Sequence, residues 1–108
     1  MIAMLLLQSQ QVTHEFQYVA DAGTTRVNVA GTFNNWNKDA NPMKIGSDGK
    51  TYTLKVSLPY GKHQYKFVLN GETWITDPKA EKNENDGGGN VNSLVFILVS
   101  PYNGEICG

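Results

Sequence analysis

Residues 51–58 alternate without a break. Tyr52, Leu54, Val56 and Leu58 fall on one side, Thr51, Thr53, Lys55 and Ser57 on the other. Successive strand side chains point to opposite faces, so this run describes a ribbon with one buried and one wet face. The same period recurs in 12–20, where Val12, Phe16, Tyr18 and Ala20 share a parity, and in 26–33, with Val27, Val29, Gly31 and Phe33. In 62–69 it sets Tyr65, Phe67 and Leu69 against Gln64, Lys66 and Val68. Asn70-Gly71 is a strong hairpin signal, and a strand near 72–76 follows it. Residues 77–90 hold almost nothing apolar and read as a surface loop. The apolar run 91–99 reads as a strand covered on both faces. No stretch has helical periodicity. Six to eight short strands with turns every eight to twelve residues predict an all-β antiparallel sandwich, with a barrel as the alternative.

At 108 residues the chain has room for one core and none for a deep catalytic cleft with its own lid. A net charge of -1 with scattered lysines leaves no basic stripe for nucleic acid. The lone Cys107 has no partner for an internal disulfide and no metal-ligand spacing around it. His14 and His63 are expected at the surface or at a strand edge. The expected division is a tail or signal remnant at 1–10, a sandwich at 11–99 and a linker at 100–108. The apolar start, Met1 to Leu7, is too short to span a bilayer. As a signal remnant it would place the chain outside the cytoplasm; as an ordinary strand or tail it would not.

The chain carries no nucleophile triad, phosphate loop or metal motif, so no catalytic residue, metal or cofactor is expected. Asp77, Glu81, Glu84 and Asp86 lie in the polar loop, where water is expected to keep them ordinary. A glycosidase instead needs one raised carboxyl facing a second. What stands out is aromatic and amide chemistry. Trp36 is surrounded by Asn34, Asn35 and Asn37, poor neighbours for a core residue. Sugar rings have apolar C–H faces and hydroxyl rims, so a sugar site wants flat rings bordered by amides and a cation. Trp36, Trp74, Lys66 and the Asn-rich loops supply that set.

Four segments occur in order: Gly31 to Trp36, Gly61 to Phe67, Trp74 to Pro78, and Asn90 to Ser93. Together they resemble the family-48 carbohydrate-binding modules, which include the glycogen-binding domain of the AMP-activated protein kinase β subunit. The family also includes N-terminal domains of isoamylases, pullulanases and branching enzymes. The resemblance covers about 12–99 and implies an immunoglobulin-like, early-set sandwich. It implies a non-catalytic module for α-1,4-glucan, with or without α-1,6 branches, covalently linked to a catalytic domain of the glycoside hydrolase 13 type. By the family's motifs Trp36 and Trp74 are stacking platforms. Lys66 and Asn92 bond sugar hydroxyls, and Asn90 stands where the kinase-type domain has a helping Thr. Gly88 replaces a Leu that the kinase-type domain inserts into the sugar helix. The other readings are a structural early-set domain that has lost sugar binding and a protein-interaction module.

For Lys66 and Trp74 to form one site, the turn between them must have an odd length or carry a bulge. This predicts a three-residue loop, Leu69-Asn70-Gly71, with Lys66 opposite Trp74 and Phe67 directed into the core.

Overall fold

The computed structural model describes residues 11–98. The expected tail at 1–10, the linker at 100–108, Val99 and Cys107 lie outside the described residues. Two antiparallel sheets face each other. β1 (Gln11–Val19), β4 (Thr51–Pro59) and β3 (Lys44–Ile45) form one, in the order β1-β4-β3. The second runs β2 (Val27–Gly31), β5 (Gly61–Leu69), β8 (Val91–Ile97), β7 (Asn83–Asn85), with β6 (Thr73–Ile75) also on β5. A three-residue 3-10 turn at Thr32–Asn34 is the only helical element among the described residues. The chain is therefore the all-β antiparallel sandwich that its alternation predicts.

The inward parities are the predicted ones. Phe16, Tyr52 and Leu58 of the smaller sheet meet Val27, Val29, Tyr65, Phe67 and Ile97 of the larger. Rings join the layers: Phe16 lies edge-on to Tyr65 at 4.9 Å, and Tyr18 lies 5.2 Å from Phe67. Fully burying one such side chain contributes about 1.5–3 kcal/mol, so this cluster supplies most of the drive to fold.

Several expectations are corrected. His63 is buried in the interior parity of β5, and its Nε2 lies 2.8 Å from the Pro59 carbonyl. It faces the sandwich interior, edge-on to Phe33 at 6.4 Å, so it is not a surface residue. The segment 77–90 is not all loop, because β7 pairs Asn83 with Ser93 and Asn85 with Val91. A strand of Asn-Glu-Asn has no apolar signature; backbone pairing to β8 alone defines it. β8 is not covered on both faces, since Phe96 remains 46% exposed and Val91 is exposed. Val68, assigned outward by parity, is fully buried because Asn28 and Trp74 flank it in the ladder.

Candidate functional site

The site is positioned by β5. Tyr65 pairs with Gly31 of β2 and with Ser93 of β8, so these two strands hold opposite edges of β5. Phe67 pairs with Val29 and with Ile75, which puts β6 on the edge that β8 uses farther down. Lys66 lies between these residues, at the point where the edge of β5 passes from β8 to β6. On its other side it pairs with Ala30, whose methyl leaves the sheet surface low. The result is a cleft of about 390 Å³ lined by Trp36, Gln64, Lys66, Trp74, Asp86, Asn90 and Asn92. All five sequence-predicted site residues meet there.

Trp74 reaches this face through the turn. Asn70 and Gly71 take φ values of 53° and 77°, and the Glu72 N–H donates to the Leu69 carbonyl at 3.0 Å. Yet the ladder pairs Leu69 with Thr73, so Glu72 is an extra residue between turn and strand. The inserted residue gives the odd spacing the single site requires. Lys66 and Trp74 share a face, Phe67 points into the core, and Trp74 is 39% exposed. The register differs from the expected one by two residues: Val68, not Lys66, lies opposite Trp74. The loop is Asn70-Gly71-Glu72, since Leu69 stays in the ladder with Val27 and Thr73, and the Asn70 side chain ties the loop to residues 23–26. Its Oδ1 accepts from the Thr25 N–H at 2.8 Å and the Arg26 N–H at 3.3 Å, and its Nδ2 donates to the Gly23 carbonyl.

Trp36 is presented by the turn after β2. Asn35 and Trp36 both have positive φ, 58° and 57°, and the Trp36 N–H donates to the Gly31 carbonyl at 2.9 Å. A bulky residue in this region costs about 1–3 kcal/mol and persists only where its surroundings enforce it. Asn34 does so: its Oδ1 accepts from the Gly31 N–H, and its Nδ2 donates to the Val29 carbonyl and to Asn41 Oδ1. Asn34 is thus part of the mount for Trp36, and only the ring reaches the cleft.

The far wall is the 86–90 loop. Asp86 Oδ1 accepts from the N–H groups of Gly88 (2.7 Å) and Asn90 (3.2 Å), and Oδ2 accepts from Asn90 Nδ2. These bonds, led by that from Gly88, hold the Asp86 carboxyl below its ordinary range, with the Lys66 charge adding to them. Glu84 is also lowered, by hydrogen bonds from Lys62 and Gln64. The loop carboxylates are therefore not all ordinary. Both shifts stabilise the anion, opposite to what a general acid needs.

Among the described residues the ion pairs are Lys38–Asp39 and Lys62–Glu84; the Lys66 ammonium forms none at contact distance, and its charge acts on the Asp86 carboxyl of the same cleft. No group of acidic, His or Cys side chains among them could hold a metal ion. The residues that sequence reasoning missed are Gln64 and Asp86. Gln64 could have been found by its parity with Lys66, two positions away on one strand. Asp86 has no such signal, because its place comes from the loop's own hydrogen bonds. A larger groove of about 720 Å³ opens between β1, β8 and residues 77–82. It lacks tryptophan; of its phenyl and phenol rings Phe16 and Tyr65 belong to the core and Phe96 is exposed.

The family model described as the glycogen recognition site of AMP-activated protein kinase matches residues 12–102. The chain belongs to this family. Its curated relatives include 5'-AMP-activated protein kinase subunit beta-2 of Homo sapiens, 32% identical over 80 residues, 74% of this chain and 28% of the relative. Subunit beta-1 of Sus scrofa is 33% identical over 75 residues, 69% of this chain and 57% of the relative. Subunit beta-1 of Homo sapiens is 33% identical over 80 residues, 74% and 27%. The chain thus spans only 27% to 57% of the length of these relatives. The family is one of recognition sites, and this member is a binding module and not itself an enzyme.

Proposed function

We propose that the cleft binds α-glucan chains, glycogen above all, with Trp36 and Trp74 stacking on sugar rings and Lys66, Asn90 and Asn92 bonding their hydroxyls. The observation that carries this reading is the convergence of one exposed indole (Trp74), one half-buried indole (Trp36), an ammonium outside any ion pair and three amides around one cleft. Stacking needs flat apolar faces, and a hydroxyl rim needs mixed donors and acceptors. The lining holds one cation, Lys66, and one anion, Asp86, which suits an uncharged ligand. An exposed cleft with a few stacked rings supports weak binding, with Kd roughly in the µM to mM range. Calorimetry with maltoheptaose, β-cyclodextrin and glycogen tests this. Flat titrations at high protein concentration would favour the structural-domain reading.

The motifs alone fit either a glycoside hydrolase of family 13 or a kinase β subunit as the larger protein. The relatives favour the second, and with it assembly with kinase-type subunits rather than a covalently linked catalytic domain. Co-purification of the chain with such subunits would separate the two.

A further inference from the structure

Beside the cleft, four side chains from three strands form one line on the outer face of the sheet. Lys62 Nζ donates to both oxygens of Glu84 at 3.0 Å. Gln64 Nε2 donates to Glu84 Oε1 at 2.6 Å. Asn92 Nδ2 then donates to Gln64 Oε1 at 3.1 Å. An ionised carboxylate can only accept, and an ammonium can only donate. Each amide in the line is therefore oriented by the one before it. Glu84 forces Gln64 to turn its NH2 outward, Gln64 then offers its oxygen to Asn92, and Asn92 must spend its NH2 on that oxygen. Asn92 is only 7% exposed, and its Oδ1 has no hydrogen-bond partner among the described residues.

We infer that Glu84, acting through Gln64, fixes the amide of Asn92 so that it offers the cleft an acceptor, Oδ1, beside the Lys66 donor. A flipped Asn92 would put a second donor next to the ammonium, and the cleft would favour anions or bare acceptors. In the fixed orientation the two groups give and take one proton each, the pattern that adjacent sugar hydroxyls match. Glu84 and Gln64 are positioning residues for specificity: Glu84 lies outside the lining and acts at a distance. The inference rests on the glucan-binding reading of the cleft.

Two measurements on the full chain test it. In the free protein, the side-chain NH2 resonances of both Gln64 and Asn92 should move in Glu84→Ala and return towards their wild-type positions in Glu84→Gln, which keeps an oxygen facing Gln64. A shift confined to Gln64 would overturn the relay. For binding, Glu84→Ala should weaken maltoheptaose affinity about three- to tenfold, as loss of one oriented hydrogen bond does. In an Asn92→Ala background the same change should have an effect of less than about twofold, because the residue it acts through is gone. Equal losses in both backgrounds, or no loss in the wild type, would overturn the proposal. Unchanged thermal melting checks that Glu84→Ala is folded. If the wild type binds no maltoheptaose, the glucan reading fails, and the resonances of the free protein still decide the orientation.

Discussion

At the scale of single residues, the cleft separates side chains proposed to touch a ligand from those that hold them. Trp74 is exposed and Trp36 half-buried at the cleft, so replacing either by Ala should abolish detectable glucan binding while leaving the circular dichroism spectrum and melting temperature nearly unchanged. Unfolding of either variant would make that ring a core residue. Lys66→Ala should cost less, about 1 kcal/mol or roughly fivefold in Kd, because a bond to a neutral hydroxyl in a wet site is modest. Gly88 gives a gain-of-function test. Gly87 and Gly89 have φ of 88° and 94°, where a side chain is strained, whereas a Cβ on Gly88 would meet only Asp86 Oδ1 at an ordinary 3.5 Å. Gly88→Leu should therefore fold normally and tighten binding about two- to tenfold by adding an apolar contact. Leucine at 87 or 89 should destabilise the loop instead. Calorimetry on the three variants distinguishes these outcomes.

At the scale of elements, the β5–β6 hairpin decides whether there is one site. Deleting Thr73 while keeping the Asn70-Gly71-Glu72 loop would set Trp74, in place of Thr73, opposite Leu69, which has the parity of Phe67. Strand side chains alternate, so Trp74 would move to the Phe67 side of the sheet. The deletion variant should lose glucan binding, with indole fluorescence moving to shorter wavelength as Trp74 leaves water; retained affinity would show that the register is not set by the bulge. Asn70→Ala should cost roughly 2 kcal/mol in urea unfolding, because it unpairs the 23–26 backbone and puts a side chain without hydrogen bonds at positive φ.

For the whole molecule, three carboxyls share one direction of shift. Asp48 is pulled down to about 2 by bonds from the Thr51 hydroxyl and the N–H groups of Lys50 and Thr51, and Glu84 and Asp86 are lowered as well. A group whose pKa is lower folded than unfolded stabilises the fold above its unfolded value and loses that contribution as pH falls. Stability should begin to fall gently below about pH 6.5, where the unfolded chain protonates His14, whose folded pKa burial lowers, and then drop more steeply between about pH 4.5 and 2. Asp48→Asn should be less stable at neutral pH and show a shallower acid slope. Chemical denaturation as a function of pH reads both.

Six of the eight strands described, the inward parities and the sandwich class were legible in residues such as Tyr52, Leu54 and Phe67, because burial of one sheet face writes a period of two into the chain. The chemistry of the site was legible for a related reason: two tryptophans in polar surroundings have no use in a core. Short polar elements were not legible. β7 is a strand only because β8 offers it free backbone groups, and His63 is buried only because it faces the sandwich interior. The register of β6 was also undetermined by local sequence. Asn-Gly permits several turns, and the one adopted keeps Leu69 in the ladder between Val27, more than forty positions away in the chain, and Thr73. The sequence by itself determined which faces are apolar and which side chains could meet a sugar. The tertiary structure alone decided that β8 gives way to β6 beside Lys66, opening a cleft there, because long-range backbone pairing selects among registers that are nearly equal in local energy.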